Sequence, residues 1–312
     1  MSRPSGSCWR CSSVKWLGDG SGTLPMAEDE TTCRMLSFIV GGVILLVPSF
    51  GCAHFMGEVG TAPRTLAKME RLQHQVVTAD GVQISFDLYR EAGRDAAIVI
   101  CPGFFQSKDT PTFQRLASAL SSQCDVICMD FRGHGKSTGL FAFSAYEQAD
   151  LNAVLDWVGK QYSRIGILGF SLGAATAINV ASHRHGLRTL ITVSAPSSFE
   201  EIEFKWWTPE AIKTGVHGLE PGAGFRPGNL WARKERPIDN IKRVAPVPIL
   251  LIHGTSDQTV LYRHSERLYQ EAREPKRLVL IQGGGHAEDL FRRDPEQFLP
   301  PIQEWLTTTL LE

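Results

Sequence analysis

The chain lacks a surplus of charge: 32 lysines and arginines stand against 33 aspartates and glutamates, leaving a formal net charge of −1. Without a basic surface a protein has little to offer a polyanion, so nucleic acid is not an expected partner. Internal repeats are absent as well, and the composition fits one globular domain carrying an appendage. Cysteine is sparse, at seven in 312 residues. Cys8 and Cys11 form a lone C-x-x-C with no second pair, too little for a zinc site. Cys101, Cys124 and Cys128 fall in or beside apolar runs, where thiols act as small hydrophobes. His183-Arg184-His185 reads as solvated. No metal and no cofactor is implied. Gly135-Lys136-Ser137 echoes the end of a phosphate-binding loop, but Asp130 occupies the place of that motif's first glycine, which disfavours nucleotide binding.

What the chain does have, from Gln73 onward, is a regular alternation of apolar strands and polar-faced helices. Val76–Val77 and Val82–Leu88 flank Asp80-Gly81, a hairpin signal. Buried strands are expected at Ala96–Cys101 and Asp125–Met129. Between them Thr110-Pro111 opens a helix, with Thr as N-cap and Pro at the first helical position. Ser144-Ala145-Tyr146-Glu147 reads as a capping box for a helix through Trp157. The alternation continues through Gly166–Phe170, Ala174–Ser182, Thr189–Val193, Ile249–Ile252, His264–Ala272 and Leu278–Ile281. A last helix opens at Asp294-Pro295 and ends near Leu311. This pattern predicts an α/β fold: a mostly parallel central sheet covered by helices on both faces.

Gly169-Phe170-Ser171-Leu172-Gly173 joins an apolar strand to a run of small residues. A serine between two glycines at a strand-to-helix junction is what a nucleophile elbow needs, because side chains at the flanking positions would clash. The first N–H groups of the new helix point at the same spot and stabilise negative charge there. A serine hydroxyl must still be deprotonated by a base, and the base needs a partner to fix its tautomer. Asp257 lies just past the strand Pro248–Ile252, and His286 lies past the strand Arg277–Ile281 in Gly283-Gly284-Gly285-His286. Serine, aspartate and histidine in that order, each at a strand end, predict one site at the carboxyl edge of the sheet. Taken singly, Asp257 reads as a helix cap and His286 as a surface histidine.

From about Gln73 to the C-terminus the chain resembles the α/β-hydrolase superfamily of serine hydrolases, in its esterase, lysophospholipase-like and aminopeptidase-like branches. The resemblance rests on Cys101-Pro102-Gly103-Phe104-Phe105, Asp130-Phe131-Arg132-Gly133-His134-Gly135-Lys136-Ser137, the Ser171 elbow, and the Asp257 and His286 loops. It implies that Ser171, Asp257 and His286 are catalytic and that the backbone N–H groups of Phe104 and Leu172 form the oxyanion hole. Pro102-Gly103 stands where many members have His-Gly, which matters little if only backbone acts. Arg132 and His134 read as structural, since the base is His286. The resemblance also implies a small lid at about 198–244, where Phe204, Trp206, Trp207, Phe225 and Trp231 gather. Such a lid favours apolar or acyl-bearing substrates, unless its rings serve only to pack it onto the main domain.

Residues 1–34 lack apolar periodicity and read as disordered or as an artefact of the chosen start codon. Residues 35–57 read as a hydrophobic signal or anchor: a helix over Met35–Ala53, at about 1.5 Å per residue, roughly spans a bilayer's hydrocarbon layer. Leu36–Val47 equally suits the core of an export signal, and Ser49-Phe50-Gly51-Cys52 partly resembles a lipoprotein signal. The expectation is therefore a membrane-associated or exported protein, with the hydrolase domain over 64–312. Its expected partner is a small-molecule acyl or ester substrate, cleaved through an acyl-enzyme. Amide hydrolysis, acyl transfer, and a catalytically silent binding protein on the same scaffold are the alternatives.

Overall fold

A computed structural model describes residues 37–40, 43–46, 70–200, 202 and 220–312. The chain divides into two units, Met1–Ala62 and Pro63–Glu312. In the first, β1 (Ser37–Val40) pairs antiparallel with β2 (Val43–Leu46). These are the described parts of the expected signal or anchor segment, and they are strands rather than helix. β-Branched runs on either side of Gly41-Gly42 favour a hairpin, a local signal that the reading from apolar length did not take into account. The rest of 35–57, and all of 1–34, lies outside the described residues. No helix among the described residues is long and apolar enough to cross a membrane.

The second unit is built on one sheet of β3 (Glu70–Val77), β4 (Gln83–Arg90), β5 (Ala96–Cys101), β6 (Asp125–Met129), β7 (Arg164–Phe170), β8 (Leu187–Val193), β9 (Ile249–Gly254) and β10 (Lys276–Ile281). Their order is β10-β9-β8-β7-β5-β6-β4-β3. Every neighbouring pair from β10 to β6 is parallel, and β4 runs antiparallel to both β6 and β3. Parallel neighbours need long crossovers, and the helices supply them. At the expected hairpin, Thr78 Oγ1 accepts the Val82 N–H at 2.9 Å and Gly81 takes φ +82°.

Among the described residues the α-helices are α1 (Pro111–Leu120), α2 (Glu147–Val158), α3 (Leu172–Ala181), α4 (Pro237–Asn240), α5 (Arg263–Glu271), α6 (Glu288–Arg293) and α7 (Pro295–Leu306). Two apolar clusters lie on opposite faces of the sheet. One joins it to α2, α3 and α5 through residues such as Leu151, Ile178 and Leu268. The other joins it to α1, α6 and α7 through Phe113, Phe291 and Phe298. β5 to β9 are buried almost throughout, which is why they read as continuous apolar runs.

Two helix starts differ from expectation in their chemistry. Thr110 precedes α1 as predicted, but its hydroxyl donates to Ser107 O; the N–H of the buried Thr112 is taken by Glu220 Oε2 at 2.9 Å. Ser144 does not cap α2. Its hydroxyl pairs with Thr176 of α3 at 2.8 Å, and the buried Glu147 accepts the Ala142 N–H at 2.7 Å. A buried hydroxyl takes whichever partner the packing brings, so the local motif loses to the helix interface.

Of the interval 198–244 expected as a lid, residues 201 and 203–219, with Phe204, Trp206 and Trp207, lie outside the described residues. The stretch after them is stitched to the loops at the carboxyl edge of the sheet. Gly224 N–H donates to Phe105 O at 2.8 Å, Arg226 N–H to Gly133 O at 2.7 Å and Phe141 N–H to Arg226 O at 2.9 Å.

Candidate active site

β7 ends at Phe170, α3 begins at Leu172, and the single residue between them makes the turn. Ser171 holds φ +48° and ψ −113°, a conformation that side chains rarely adopt. It is fixed by its own N–H donating to Val193 O at 2.8 Å and by its carbonyl accepting from Ala174 and Ala175. The second glycine of the elbow has a packing reason: a Cβ at Gly173 would stand 2.2 Å from Cys101 O, because α3 starts directly over the end of β5.

The base arrives from the other side. His286 is followed by Ala287, also at positive φ (+48°), whose N–H donates to Ser194 Oγ at 3.0 Å. Ser194, buried at the end of β8 with φ +51°, thus anchors the histidine loop. Sequence reading missed it; the available signal was a polar residue closing an apolar strand. Asp257 sits in the turn after β9. Its Oδ1 accepts the N–H groups of Thr259 and Val260, both at 2.9 Å, and so closes the turn; it does not cap the helix that follows, as the sequence suggested, because α5 starts at Arg263 behind Tyr262. Its other oxygen is left to face the site.

The three side chains meet. His286 Nδ1 lies 2.7 Å from Asp257 Oδ2, and His286 Nε2 lies 3.0 Å from Ser171 Oγ. An ionised carboxylate can only accept, so Nδ1–H donates to Asp257 and Nε2 is the lone-pair nitrogen that accepts the Ser171 hydroxyl. Burial pushes the Asp257 carboxyl upward, but the charge of His286 and hydrogen bonds from His253 and His286 outweigh it and hold the group well below the usual range. Burial lowers His286, and the negative charge of Asp257, with its hydrogen bond, overcomes this to raise it above its ordinary value.

The predicted oxyanion donors border the same serine. Leu172 N–H opens α3 and has no acceptor within the helix. Phe104 follows Gly103, whose Cα backs onto Ser171 so closely that a Cβ there would lie 3.3 Å from the Ser171 Cβ. The Phe104 ring enters a cluster that sequence reading did not foresee, 4.6 Å from Phe225 and 5.3 Å from Phe141 between centroids, and continuing through Phe143 to Phe199. Four separate segments supply these rings, so no local pattern announces them. Trp231, expected among the lid aromatics, is 92% exposed.

Arg132 and His134, read from sequence as structural, are both engaged within the fold. Arg132 forms a two-pronged pair with the buried Asp150 and reaches Asp80 at 2.7 Å. His134 is buried, donates from Nδ1 to Arg132 O at 3.1 Å and accepts the Phe105 N–H at 3.3 Å. Burial lowers it to about 4, so it is neutral. The loop that echoes a phosphate cradle instead wraps a carboxylate, with Asp130 accepting the N–H groups of Lys108 and Lys136 at 2.7 and 2.9 Å. Cys101, Cys124 and Cys128 are buried free thiols whose ionisation burial pushes up.

Residues 96–216 match the family described as the alpha/beta hydrolase fold. The chain is 30% identical over 247 residues to the uncharacterized protein Rv2307c of Mycobacterium tuberculosis, covering 75% of this chain and 78% of that one. To the uncharacterized protein YfhR of Escherichia coli K12 it is 28% identical over 191 residues, which is 60% of this chain and 61% of YfhR's length. Among solved structures it resembles the esterase Pf2001 of Pyrococcus furiosus, with TM-score 0.63 and 21% identity over 78% of this chain and 94% of that one. That likeness speaks to the fold.

Proposed function

The chain belongs to the α/β-hydrolase family, and from that premise we propose that it is a serine hydrolase of carboxylic esters or related acyl compounds. The observation that carries this reading is the continuous contact from Ser171 Oγ to His286 Nε2 at 3.0 Å and from His286 Nδ1 to Asp257 Oδ2 at 2.7 Å. Ser171 Oγ attacks the substrate carbonyl carbon as its proton passes to His286 Nε2. The carbonyl electrons move onto oxygen, where the N–H groups of Phe104 and Leu172 hold the charge. His286 then gives the proton to the leaving alkoxide, and the C–O bond to it breaks. Water, deprotonated by the same nitrogen, releases the acyl group and restores Ser171. Asp257 holds the ring orientation and stabilises the imidazolium throughout. The ring cluster around Phe104 supports an acyl portion that is apolar.

A fluorophosphonate probe tests the reading. The full-length protein is expected to be labelled and Ser171→Ala is not; an unlabelled wild type would favour a silent binding protein. Turnover of p-nitrophenyl acyl esters above that of aminoacyl anilides separates esterase from amidase. The uncharged stretch within 35–57 extends the proposal to a membrane-attached or exported enzyme. Fractionating cells that express the whole chain tests that part, and recovery solely in the cytosol counts against it.

A further inference from the structure

His253, in the last turn-ward stretch of β9, is fully buried, and the steps above leave it unused. Its Nε2 lies 2.8 Å from Val260 O and 3.2 Å from Asp257 Oδ2. Both are acceptors, so Nε2 carries the hydrogen. Its Nδ1 lies 2.6 Å from the buried Ser265 Oγ of α5, whose hydroxyl donates to it. A ring tied at both nitrogens has one orientation and one tautomer. Asp257 Oδ2 therefore stands between two imidazoles, His286 at 2.7 Å and His253 at 3.2 Å, while Oδ1 is committed to two backbone N–H groups.

We propose that His253 is a positioning residue: by donating its Nε2 hydrogen toward Asp257 Oδ2, it sets how firmly that carboxylate holds the proton of His286. The inference rests on the reading of Asp257 and His286 as orienting acid and base. Two donors on one oxygen share its charge. Remove the His253 donor and the full charge falls on the His286 bond, favouring the imidazolium. His286 then keeps its proton to higher pH and is less available as a base at neutrality. The other charged groups facing His286 are Glu288 and Asp289. Glu288 is held by Gln106 at 2.7 Å, and Asp289 is paired with Arg292 and Arg293 of α6. None of these contacts involves His253, so its replacement isolates the Asp257 oxygen. A histidine that merely fills the core would be satisfied by Val260 and Ser265 alone and would leave His286 untouched.

His253→Met removes both nitrogens at similar volume, and His253→Gln keeps an N–H where Nε2 stands. The test is the pH profile of kcat/KM for a p-nitrophenyl ester in the full-length protein, read with the downfield proton resonance and nitrogen titration of His286. With His253→Met the acid limb is expected to move up by roughly half a unit and kcat at neutral pH to fall about two- to threefold, with KM nearly constant. His253→Gln is expected to return the limb to its wild-type place. An unmoved limb and an unmoved His286 titration in His253→Met overturn the inference, whatever happens to the rate. Equal shifts in both variants overturn it too, because packing would then be the cause. Should His253→Met fail to fold, Ser265→Ala unties Nδ1 and is expected to shift the limb the same way by less; no shift overturns it. The nitrogen titration reports on His286 even without turnover, and wild-type fluorophosphonate labelling decides separately whether the hydrolase reading stands.

Discussion

Ser171, Ser194 and Ala287 all sit at positive φ without being glycine, and all three lie in or beside the proposed triad. Such backbone is held only where the surroundings over-determine it, and here the ends of β7 and β8 and the start of α3 do so. At this scale the first prediction concerns protons. His286 is raised above its ordinary 6.5, and the proton acceptor is the neutral ring. The kcat/KM therefore falls as pH drops through the raised value, and its half-maximum is expected above 6.5; a half-maximum near or below about pH 6 would remove the assigned base. Asp257→Asn leaves the wrong tautomer facing Ser171, so kcat should fall on the order of 10⁴-fold while the fold persists by circular dichroism. Phe104 acts through its backbone in the proposed chemistry and through its ring in the aromatic cluster. Phe104→Ala should spare short acetyl esters within a few-fold and cost bulky acyl esters roughly tenfold or more in kcat/KM. Equal losses on both would argue against the ring as part of the acyl pocket.

Elements carry the precision of the site. α3 begins over β5 with no room for a methyl group, since a Cβ at Gly173 would meet Cys101 O at 2.2 Å and Pro102 O at 2.4 Å. Gly173→Ala must push the helix off the sheet, at a cost of roughly 2–3 kcal/mol in a denaturant titration and with loss of probe labelling. A stable, fully labelled variant would contradict the packing. The start of α1 is finished by a residue far away in sequence, as Glu220 accepts both the Thr112 N–H and its hydroxyl. Glu220→Ala should lower stability by about 1 kcal/mol, as loss of a helix cap does. Unchanged stability would mean that solvent serves that N–H equally well.

On the scale of the whole molecule, both apolar clusters and all the proposed catalytic groups belong to the unit Pro63–Glu312. A chain that starts at Arg64 is expected to fold with an unchanged denaturation midpoint and to keep its ester turnover. An insoluble or inactive truncation would show that earlier residues complete the unit. The same scale explains the sheet. Its six parallel strands bring β5, β7, β9 and β10 out at one rim, and the residues beyond their ends meet there although β5 and β10 lie far apart in the chain.

Periodicity and apolar runs determined the strands, the helices and the parallel sheet of the unit Pro63–Glu312, because a buried strand can be recognised from its own side chains; over Ser37–Val40 and Val43–Leu46 apolar length pointed to a helix and the structure has a strand pair. The order of Ser171, Asp257 and His286 at strand ends was legible for the same reason. Contacts between distant segments were not. Ser194 beneath the histidine loop, His253 beside Asp257, Glu220 on α1 and the ring cluster around Phe104 each join parts of the chain that no local pattern connects. Ser144 shows the reverse, a local capping signal overruled once its hydroxyl met Thr176 across a helix interface. Sequence dictated which elements form, since propensity and burial pattern act over a few residues; only the folded sheet decided which polar groups share a proton, because that depends on ångström distances between elements.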